Sequence, residues 1–390
     1  MNAPVPILLA GVHGHGRHHL KALHPLSRSG LVRLVGVCDP APPARDDDLE
    51  GHGDLPRFAD LGEAIDATGA SATILATPIP THLPLARTAL DHGSHVLLEK
   101  PTTATLAEYD QLVAAVDASG LACQIGFQSL GSHALDTVRH LIGDGAVGEL
   151  RGIGGAGTWI RTSAYYDRAP WAGRRRLDGR DVVDGALTNP FAHAVATALA
   201  VAGAATNIPA GIELELYRAH PIESDDTACL RVRTPDGTPI TVAVTLCAQE
   251  SLPPRLTVHG TTGRIDLDYT LDRVTLHRPG RDPVTTAHPR TGLLENLLAH
   301  VDGDAPLLVP PRATHAFMHV LEAVRTAPDP VAVPDTHQRV TRHSEGTRRV
   351  ITGIDALVRR SADQLALFSE LDPAWPPADR ASDPTPEARP

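Results

Sequence analysis

A glycine-rich turn between an apolar segment and a helical segment is the feature that most constrains the fold. Residues 6–12 form a short apolar run, which is typical of a buried strand. The turn runs from Gly11 to Gly16, and a second apolar run at residues 31–38 ends at Asp39. A strand, a glycine turn, a helix and a strand that closes on an acid together predict a βαβ unit that binds a dinucleotide.

The turn meets the physical needs of a pyrophosphate. Small residues let the backbone approach the phosphates, and a helix N-terminus faces their negative charge. His13 replaces the middle glycine of the usual pattern, and we expect Gly14 to allow the close approach instead. We therefore assign five residues of the turn to the cofactor site: Gly11, His13, Gly14, His15 and Gly16.

Asp39 bears on the choice of cofactor. It follows Gly16 by 23 residues, close to the roughly 20 at which an acid binds the ribose hydroxyls. A carboxylate there would repel a 2′-phosphate, and the adjacent residues offer no arginine, although Arg45 is close. The sequence favours NAD over NADP.

Four histidines crowd the turn: His13, His15, His18 and His19. A metal site is one interpretation, but no carboxylate or cysteine joins them at a ligand spacing. We expect no metal site, and interpret the histidines as a neutral lining of the phosphate turn.

Strands and helices continue to alternate after the turn. Apolar runs at residues 71–76, 95–98 and 122–127 are separated by helical segments, which predicts a Rossmann-type, doubly wound parallel sheet. Ligands bind beyond the carboxyl ends of such strands. The residues that follow two of these runs are Thr77, Pro78, Glu99 and Lys100.

Lysine is rare in this chain. Lys21 and Lys100 are its two lysines among 35 Lys and Arg residues. Because Lys can release its proton and Arg cannot readily do so, Lys100 is a candidate for proton transfer.

The second half has a different pattern. Six short alternating runs between residues 212 and 278, several joined by turn sequences, predict an α+β domain with a large, mostly antiparallel open sheet. Helical segments follow near residues 292–301 and 313–325, and an apolar-periodic segment covers residues 340–371. We predict a dinucleotide-binding domain at 1–125, a substrate and oligomerisation domain at 126–372, and a disordered Pro-rich tail at 373–390.

Composition limits the function classes. The formal charge of −11 argues against nucleic acid and anionic membranes. No apolar run approaches the ~20 residues of a membrane span. The four cysteines form no CxxC pair, and no basic segment precedes the first apolar run, so we expect a cytoplasmic protein that acts on a small molecule.

The chain resembles the Gfo/Idh/MocA family of NAD(P)-dependent oxidoreductases over roughly residues 5–330. The resemblance rests on the glycine turn followed by His19, on Ala76-Thr77-Pro78 with His82, and on residues 95–101, which end in Glu99-Lys100-Pro101. Residues 185–193 occupy the place of the second active-site segment of the family. The resemblance adds His82 to the predicted cofactor site.

The resemblance implies hydride transfer between nicotinamide and a secondary alcohol of a sugar or cyclic polyol. Lys100 corresponds to the lysine that contacts the reacting hydroxyl, and His193 to the general acid/base. Both types of side chain can exchange protons near neutral pH. The alternatives are a solvated strand-end charge for Lys100 and a structural histidine for His193.

Asn189 departs from the family, which usually has Asp at this place. Asn189 and His193 are spaced i, i+4, so on a helix they would share one face. Since Asn cannot ionise, we interpret Asn189 as substrate-positioning. Asp181 or Asp184, just upstream, is an alternative source of the missing carboxylate.

Aromatic residues are scarce, yet four of them fall within 13 residues: Trp159, Tyr165, Tyr166 and Trp171. We assign Tyr166 and Trp171 to substrate binding through their flat faces. The alternative is a loop that packs its own aromatics. The run from Arg174 to Arg176 would hold an acidic substrate or, alternatively, form a solvated surface.

The prediction is an NAD-dependent oxidoreductase acting on a ring hydroxyl or ketone of a sugar, glycoside or cyclic polyol. The resemblance also implies a homodimer or homotetramer. The alternative is a non-catalytic, nucleotide-binding sensor of the same fold, which Asn189 favours. The identity of the substrate and the direction of the reaction cannot be read from the sequence.

Overall fold

The structure is a computed structural model that describes residues 3–41, 52, 54–375 and 381–382. The chain divides into two compact units, one formed by Met1–Phe127 with Gly292–Arg312 and the other by Gln128–Thr291 with Ala313–Pro390. The first boundary lies close to the predicted one. The segment Gly292–Arg312 had been predicted in the second domain.

Gln124 explains why that segment packs with the first unit. Its side chain is fully buried, and its amide nitrogen donates to the Leu293 carbonyl at 3.1 Å and to Asn296 Oδ1 at 2.6 Å. The backbone N–H of Val309 donates to Gln124 Oε1 at 2.8 Å. A buried amide requires such partners, and the segment supplies them.

The first unit alternates strands and helices. Its elements up to residue 127 are β1 (Val5–Ala10), α1 (Gly16–Arg28), β2 (Val32–Cys38), β3 (Arg57–Phe58), α2 (Leu61–Thr68), β4 (Ala72–Leu75), α3 (His82–Asp91), β5 (His95–Leu98), α4 (Leu106–Ser119) and β6 (Cys123–Ile125). The strands form one parallel sheet in the order β3-β2-β1-β4-β5-β6. This confirms the predicted Rossmann-type sheet, in which β1, β4 and β5 end at the same edge.

The second unit is built around a ten-stranded sheet. Its elements up to residue 291 are α5 (Ala134–Gly143), β7 (Leu150–Ile160), α6 (Ser163–Asp167), β8 (Arg176–Leu177), β9 (Arg180–Asp181), α7 (Ala192–Val201), β10 (Gly211–Arg218), β11 (Thr227–Arg233), β12 (Pro239–Thr245), β13 (Cys247–Gly260), β14 (Arg264–Asp268), β15 (Arg273–His277) and β16 (Val284–Ala287). The sheet order is β16-β15-β14-β13-β7-β12-β11-β10, followed by β17 (Val331–Ala332), and the tenth strand, β20 (Ala381–Ser382), also pairs with β10.

The remaining elements follow along the chain. They are α8 (Leu293–Val301), which belongs to the first unit, and then α9 (His315–Thr326), β17 (Val331–Ala332), β18 (Gln338–His343), β19 (Gly346–Ile351), α10 (Ile354–Gln364) and β20 (Ala381–Ser382). Most pairings in the large sheet are antiparallel, with β7–β12 and β10–β17 parallel. The predicted, mostly antiparallel sheet is confirmed.

The central strand of this sheet, β7, is not predicted from the sequence, because its glycines hide the apolar pattern. A Cβ atom at Gly154 would lie 1.9 Å from the Ala362 carbonyl oxygen of α10, and one at Gly157 would lie 2.4 Å from the ring of Phe191. The two positions point to opposite faces of the strand. Glycine there lets α10 and the start of α7 pack directly on the sheet.

The predicted disordered tail differs from the structure where the tail is described. Trp375 is 3% exposed, and its ring centroid lies 6.1 Å from that of Tyr217 within an apolar core. Ala381–Ser382 pairs with β10. Burial of the large apolar surface of an indole ring stabilises the folded chain even in a Pro-rich segment. Residues 376–380 and 383–390 lie outside the described residues.

Among the helices of the described residues, none combines the length and the apolar character that a bilayer crossing requires.

Replacing Trp375 tests whether the start of the tail belongs to the core. Trp375→Ala should lower the free energy of unfolding by about 3–5 kcal/mol, because it leaves a cavity against Tyr217. Trp375→Phe is the matched control and should cost less, since the buried indole N–H has no partner among the described residues. Urea unfolding measures both. Equal stability of Trp375→Ala and the wild type would contradict the packing.

Candidate active site

The turn after β1 can be built only with glycine at two positions. Gly11 has a φ of +83°, and a Cβ atom there would lie 2.4 Å from the Ala76 carbonyl oxygen. A Cβ atom at Gly16 would lie 2.0 Å from the Gly11 carbonyl oxygen. These contacts seat the start of α1 tightly on the ends of β1 and β4.

The N-terminus of α1 is suited to an anion. Its N-cap residue, His15, makes no side-chain capping bond, and the first turn of the helix carries no acidic residue. A Cβ atom at Gly14 would meet nothing within 4 Å, so the backbone there borders open space. Backbone N–H groups and the helix dipole favour a phosphate in such a place. The predicted turn therefore fits a dinucleotide.

Asp39 lies where the sequence places it, at the end of β2. Its Oδ2 accepts from the Val12 N–H at 3.1 Å, and its Oδ1 accepts from the Ala41 N–H at 2.9 Å. These bonds fix the carboxylate beside the glycine turn, and each oxygen keeps a lone pair for a hydroxyl donor. Arg45, the arginine near enough in sequence to matter for a 2′-phosphate, lies outside the described residues.

Glu99 joins the turn to the strand end that carries Lys100. The carboxylate is buried, and its Oε1 accepts from His19 Nε2 at 2.8 Å and lies 3.2 Å from His15 Nε2. Spacing along the sequence does not associate a carboxylate with these histidines, because Glu99 is 80 residues away from His19. Sheet topology brings the three together.

Burial and the two histidines act in opposite directions on Glu99. Burial alone would raise the pKa of the carboxyl group, whereas the hydrogen bonds from His15 and His19 lower it. The net effect holds the pKa of Glu99 well below its ordinary value. The backbone N–H of Lys100 also donates to Glu99, at 3.2 Å from Oε2. Lys100 itself is half-buried.

His82 bridges the two strand-end loops of the predicted cofactor site. It is 1% exposed, and its ring nitrogens lie 2.9 Å from the Pro101 carbonyl and 3.0 Å from the Thr77 carbonyl. Burial lowers the pKa of His82. The ring therefore holds Thr77 and Pro78 beside the Lys100 loop instead of facing a ligand.

In the second unit, His193 stands out on α7. Every other residue of this helix is buried. His193 Nδ1 lies 3.2 Å from Ser129 Oγ, which accepts a hydrogen bond from Thr197 Oγ1 at 2.9 Å. Thr197 shares the helix face of His193. Ser129 is distant from both in the sequence, and no sequence pattern predicts that it contacts them.

Asn189 is in a turn before α7, so the expected placement of Asn189 and His193 on one helix face is wrong. Its amide Nδ2 donates to Asp184 Oδ1, and Asp184 Oδ2 accepts from the Gly173 N–H at 2.7 Å. Asp184 is 4% exposed. Of the two upstream acids, Asp184 thus contacts Asn189, whereas Asp181 forms ion pairs with Arg176 and Arg325.

Asp225 fixes the segment that precedes α7. Its Oδ2 accepts from the Ala186 N–H at 2.9 Å, and a Cβ atom at Gly185 would lie 2.0 Å from its Oδ1. Burial raises the pKa of Asp225 to about 7. The close approach explains why residue 185 of this segment is glycine.

The four aromatic residues pack with their own neighbours. The Arg168 guanidinium lies 3.5 Å from the ring centre of Tyr165 and 4.8 Å from that of Trp171. The ring centroid of Tyr166 lies 4.9 Å from that of His220. The ring centroid of Trp159 lies 4.4 Å from that of Phe191. Substrate roles for Tyr166 and Trp171 stay predictions.

The run of three arginines has partners within the second unit. Arg174 forms an ion pair with Glu223, with 2.6 Å between Nη1 and Oε1. Arg176 forms one with Asp181, with 2.8 Å between Nε and Oδ1. Arg175 donates to carbonyl groups at the C-terminal end of α9, among them that of Val324 at 2.9 Å. These ion pairs and hydrogen bonds connect the three arginine side chains to other residues of the second unit.

Both units match models of one oxidoreductase family. Residues 5–127 match the model described as "Oxidoreductase family, NAD-binding Rossmann fold", and residues 135–266 match the "GFO/IDH/MocA C-terminal domain". The chain belongs to the Gfo/Idh/MocA family. Its first unit is the NAD-binding Rossmann domain of that family, which agrees with the glycine turn.

Curated relatives within the Gfo/Idh/MocA family include sugar and inositol enzymes. The chain is 28% identical to the dTDP-3,4-didehydro-2,6-dideoxy-alpha-D-glucose 3-reductase of Streptomyces antibioticus over 215 residues, which are 55% of this chain and 61% of that protein. It is 32% identical to the inositol 2-dehydrogenase of Rhodococcus jostii over 100 residues, 25% of this chain and 27% of that protein. The matched segments span less than two thirds of these relatives.

Solved structures share the fold of both units. One is the WlbA dehydrogenase from Bordetella pertussis in complex with NADH and UDP-GlcNAcA, with a TM-score of 0.68 and 22% identity over 82% of this chain and 95% of that chain. Another is an oxidoreductase from Thermotoga maritima, with a TM-score of 0.70 and 19% identity over 83% of this chain and 96% of that chain.

Asn189→Asp tests the contact between Asn189 and Asp184. The variant would set two partly buried carboxyl groups against each other, so at least one pKa of the pair is raised in the folded state. The free energy of unfolding of the variant should therefore fall, relative to that of the wild type, by ~2 kcal/mol as the pH rises from about 5 to about 8. Thermal unfolding across this range measures it.

Asn189→Ala is the uncharged control for this experiment. It removes the hydrogen bond to Asp184 without adding a charge, so its loss of stability should change little with pH. A loss for Asn189→Asp that is equally independent of pH would contradict the contact.

Proposed function

We propose that the chain is an NAD-dependent oxidoreductase that acts on a ring hydroxyl or the matching ketone of a sugar, glycoside or cyclic polyol. The observation that carries the proposal is the bonding of Glu99 to His15 and His19. This bonding fixes Lys100 next to a turn suited to a dinucleotide pyrophosphate. A lysine at that place can transfer a proton. Its presence there is notable because the chain has only two lysines.

Lys100 contacts the reacting hydroxyl in this proposal and moves its proton through Nζ. A desolvated ammonium group can exchange protons near neutral pH, whereas a guanidinium cannot. A bound dinucleotide would supply the hydride acceptor or donor for the carbinol carbon. Gly11, Gly14 and Gly16 would hold its pyrophosphate, and Asp39 its ribose.

His193 is the proposed general acid/base of the second unit. Its Nδ1 is tied to Ser129, and a serine hydroxyl can either donate to this nitrogen or accept from it. Ser129 can therefore support the ring in both protonation states while Nε2 gains or loses a proton. Asn189 would position substrate through an amide held by Asp184.

The substrate class rests on the family and on the names of relatives. A dTDP-sugar reductase and inositol dehydrogenases are among them, and the substrates in these names carry either a ketone or a secondary hydroxyl group on a ring. The preference for NAD rests on Asp39, whose carboxylate would meet a 2′-phosphate with like charge. The homodimer or homotetramer and the cytoplasmic location stay predictions.

Turnover by the full-length chain tests the proposal directly. Purified protein is given NAD or NADP with inositols, aldoses, alkyl or aryl glycosides and nucleotide sugars, and both reduced cofactor and sugar product are measured. Product analysis detects a cofactor that is recycled without release. We expect turnover of at least one compound, with NAD preferred. Silence across the panel with dinucleotide binding intact would overturn the proposal in favour of a non-catalytic sensor.

Lys100→Met tests the role assigned to Lys100. It should keep dinucleotide binding, because the pyrophosphate is held by the glycine turn, and lose turnover by about 10²-fold or more. Lys100→Arg keeps the charge but not the exchangeable proton, so it should be impaired as well. Cofactor fluorescence titration and steady-state kinetics measure the two effects. Turnover near wild type in both variants would show that Lys100 moves no proton.

A further inference from the structure

Three side chains of the kind that bind transition metals meet in the second unit. His220 follows β10, Asp226 immediately precedes β11, and Cys247 opens β13. One donor atom from each lies within 4.8 Å of the others, and the residues are 2%, 0% and 0% exposed. No sequence pattern indicates this cluster, because its members are far apart in the chain and follow no ligand spacing.

His220 carries the first sign of an occupant. Its Nε2 is buried and has no hydrogen-bond partner among the described residues. The hydroxyl of Tyr166, whose ring packs 4.9 Å from that of His220, is likewise buried and unpartnered within the described chain. Buried polar atoms are almost always satisfied in folded proteins. Two such atoms on adjacent rings indicate a polar species that the protein itself does not supply.

Asp226 is held in place as a ligand would be. It accepts from the N–H groups of Ala219 at 2.8 Å and His220 at 2.7 Å, and from the Thr227 hydroxyl at 3.1 Å. These three donors are neutral and orient the carboxylate without cancelling its charge. A fully buried carboxylate is costly unless a positive charge balances it.

We propose that His220, Asp226 and Cys247 bind a single Zn²⁺ ion. Zinc favours nitrogen and sulfur donors with carboxylate oxygen, and three protein ligands with one open position make a known type of zinc site. On binding, the Cys247 thiol loses its proton to solvent and forms the Zn–S bond. The thiolate and the carboxylate then balance the two positive charges of the ion, and His220 supplies the nitrogen ligand.

The second histidine cluster of the chain is less suited to zinc. In the group His15, His19 and Glu99, both ring nitrogens that face the carboxylate already bond to it. That cluster also has no thiol and lies at the dinucleotide turn. Its presence nevertheless requires a readout that reports sulfur ligation alone.

Cobalt substitution in the full-length chain supplies that readout. Co²⁺ bound through Cys247 should give a thiolate-to-cobalt charge-transfer band in the near ultraviolet, saturate at one equivalent, and be displaced by Zn²⁺. Cys247→Ser should abolish the band. Cys123→Ser is the matched control, since Cys123 is another fully buried thiol, and it should leave the band unchanged.

A second pair of variants separates the two clusters. His220→Ala should weaken Zn²⁺ binding, measured by equilibrium dialysis, by about tenfold or more, and His15→Ala should leave it unchanged. Circular dichroism checks that each variant is folded. A folded wild type that gives no charge-transfer band, or zinc binding that is lost with His15→Ala and kept with His220→Ala, would overturn the proposal.

Discussion

The bond between the Glu99 carboxylate and His19 is the interaction on which the candidate active site depends. It links the beginning of α1 to the end of β5, and His15, the N-cap residue of α1, adds a second contact to the same oxygen. A buried carboxylate is tolerated only when hydrogen bonds and charge compensate its desolvation. That requirement couples the shape of the glycine turn to the position of Lys100. A change in the glycine turn should therefore alter the position of Lys100, and a change at the end of β5 should alter the turn.

The second unit uses the same principle with other residues. Asp225 and Asp184 are buried acids, and each accepts a hydrogen bond from the segment just before α7, Asp225 from Ala186 and Asp184 from Asn189. Gly157 permits the close packing of Phe191 just ahead of His193. Buried acids and small residues thus fix the backbone, so that the few polar groups left half-buried are the ones available for chemistry.

Local patterns predicted the parts of the structure that depend on neighbours in sequence. The glycine turn, the distal Asp39 and the strand-end motif at Glu99 and Lys100 all follow from spacing, and the structure places each at the edge expected of a parallel sheet. Apolar alternation likewise predicted most strands of the large sheet. Resemblance to the family supplied the role proposed for His193, which no spacing could give.

The remaining features depend on contacts between distant residues, which a single sequence does not show. The strand β7 was hidden because close packing requires glycine where a strand normally shows apolar residues. Gln124 recruits a segment of the chain through buried amide bonds, and Trp375 is buried despite its Pro-rich surroundings. Ser129 and the cluster around Cys247 are assembled only by the fold.

The most direct test of this account is the pH dependence of stability for the wild type and Glu99→Gln. Because the folded state lowers the pKa of Glu99, its ionised form stabilises the protein above the ordinary pKa of a glutamate, about 4.3, and that stabilisation is lost as the pH falls below it. The account predicts that the variant is less stable near neutral pH and that the difference shrinks on acidification. A difference that is absent, or constant with pH, would contradict it.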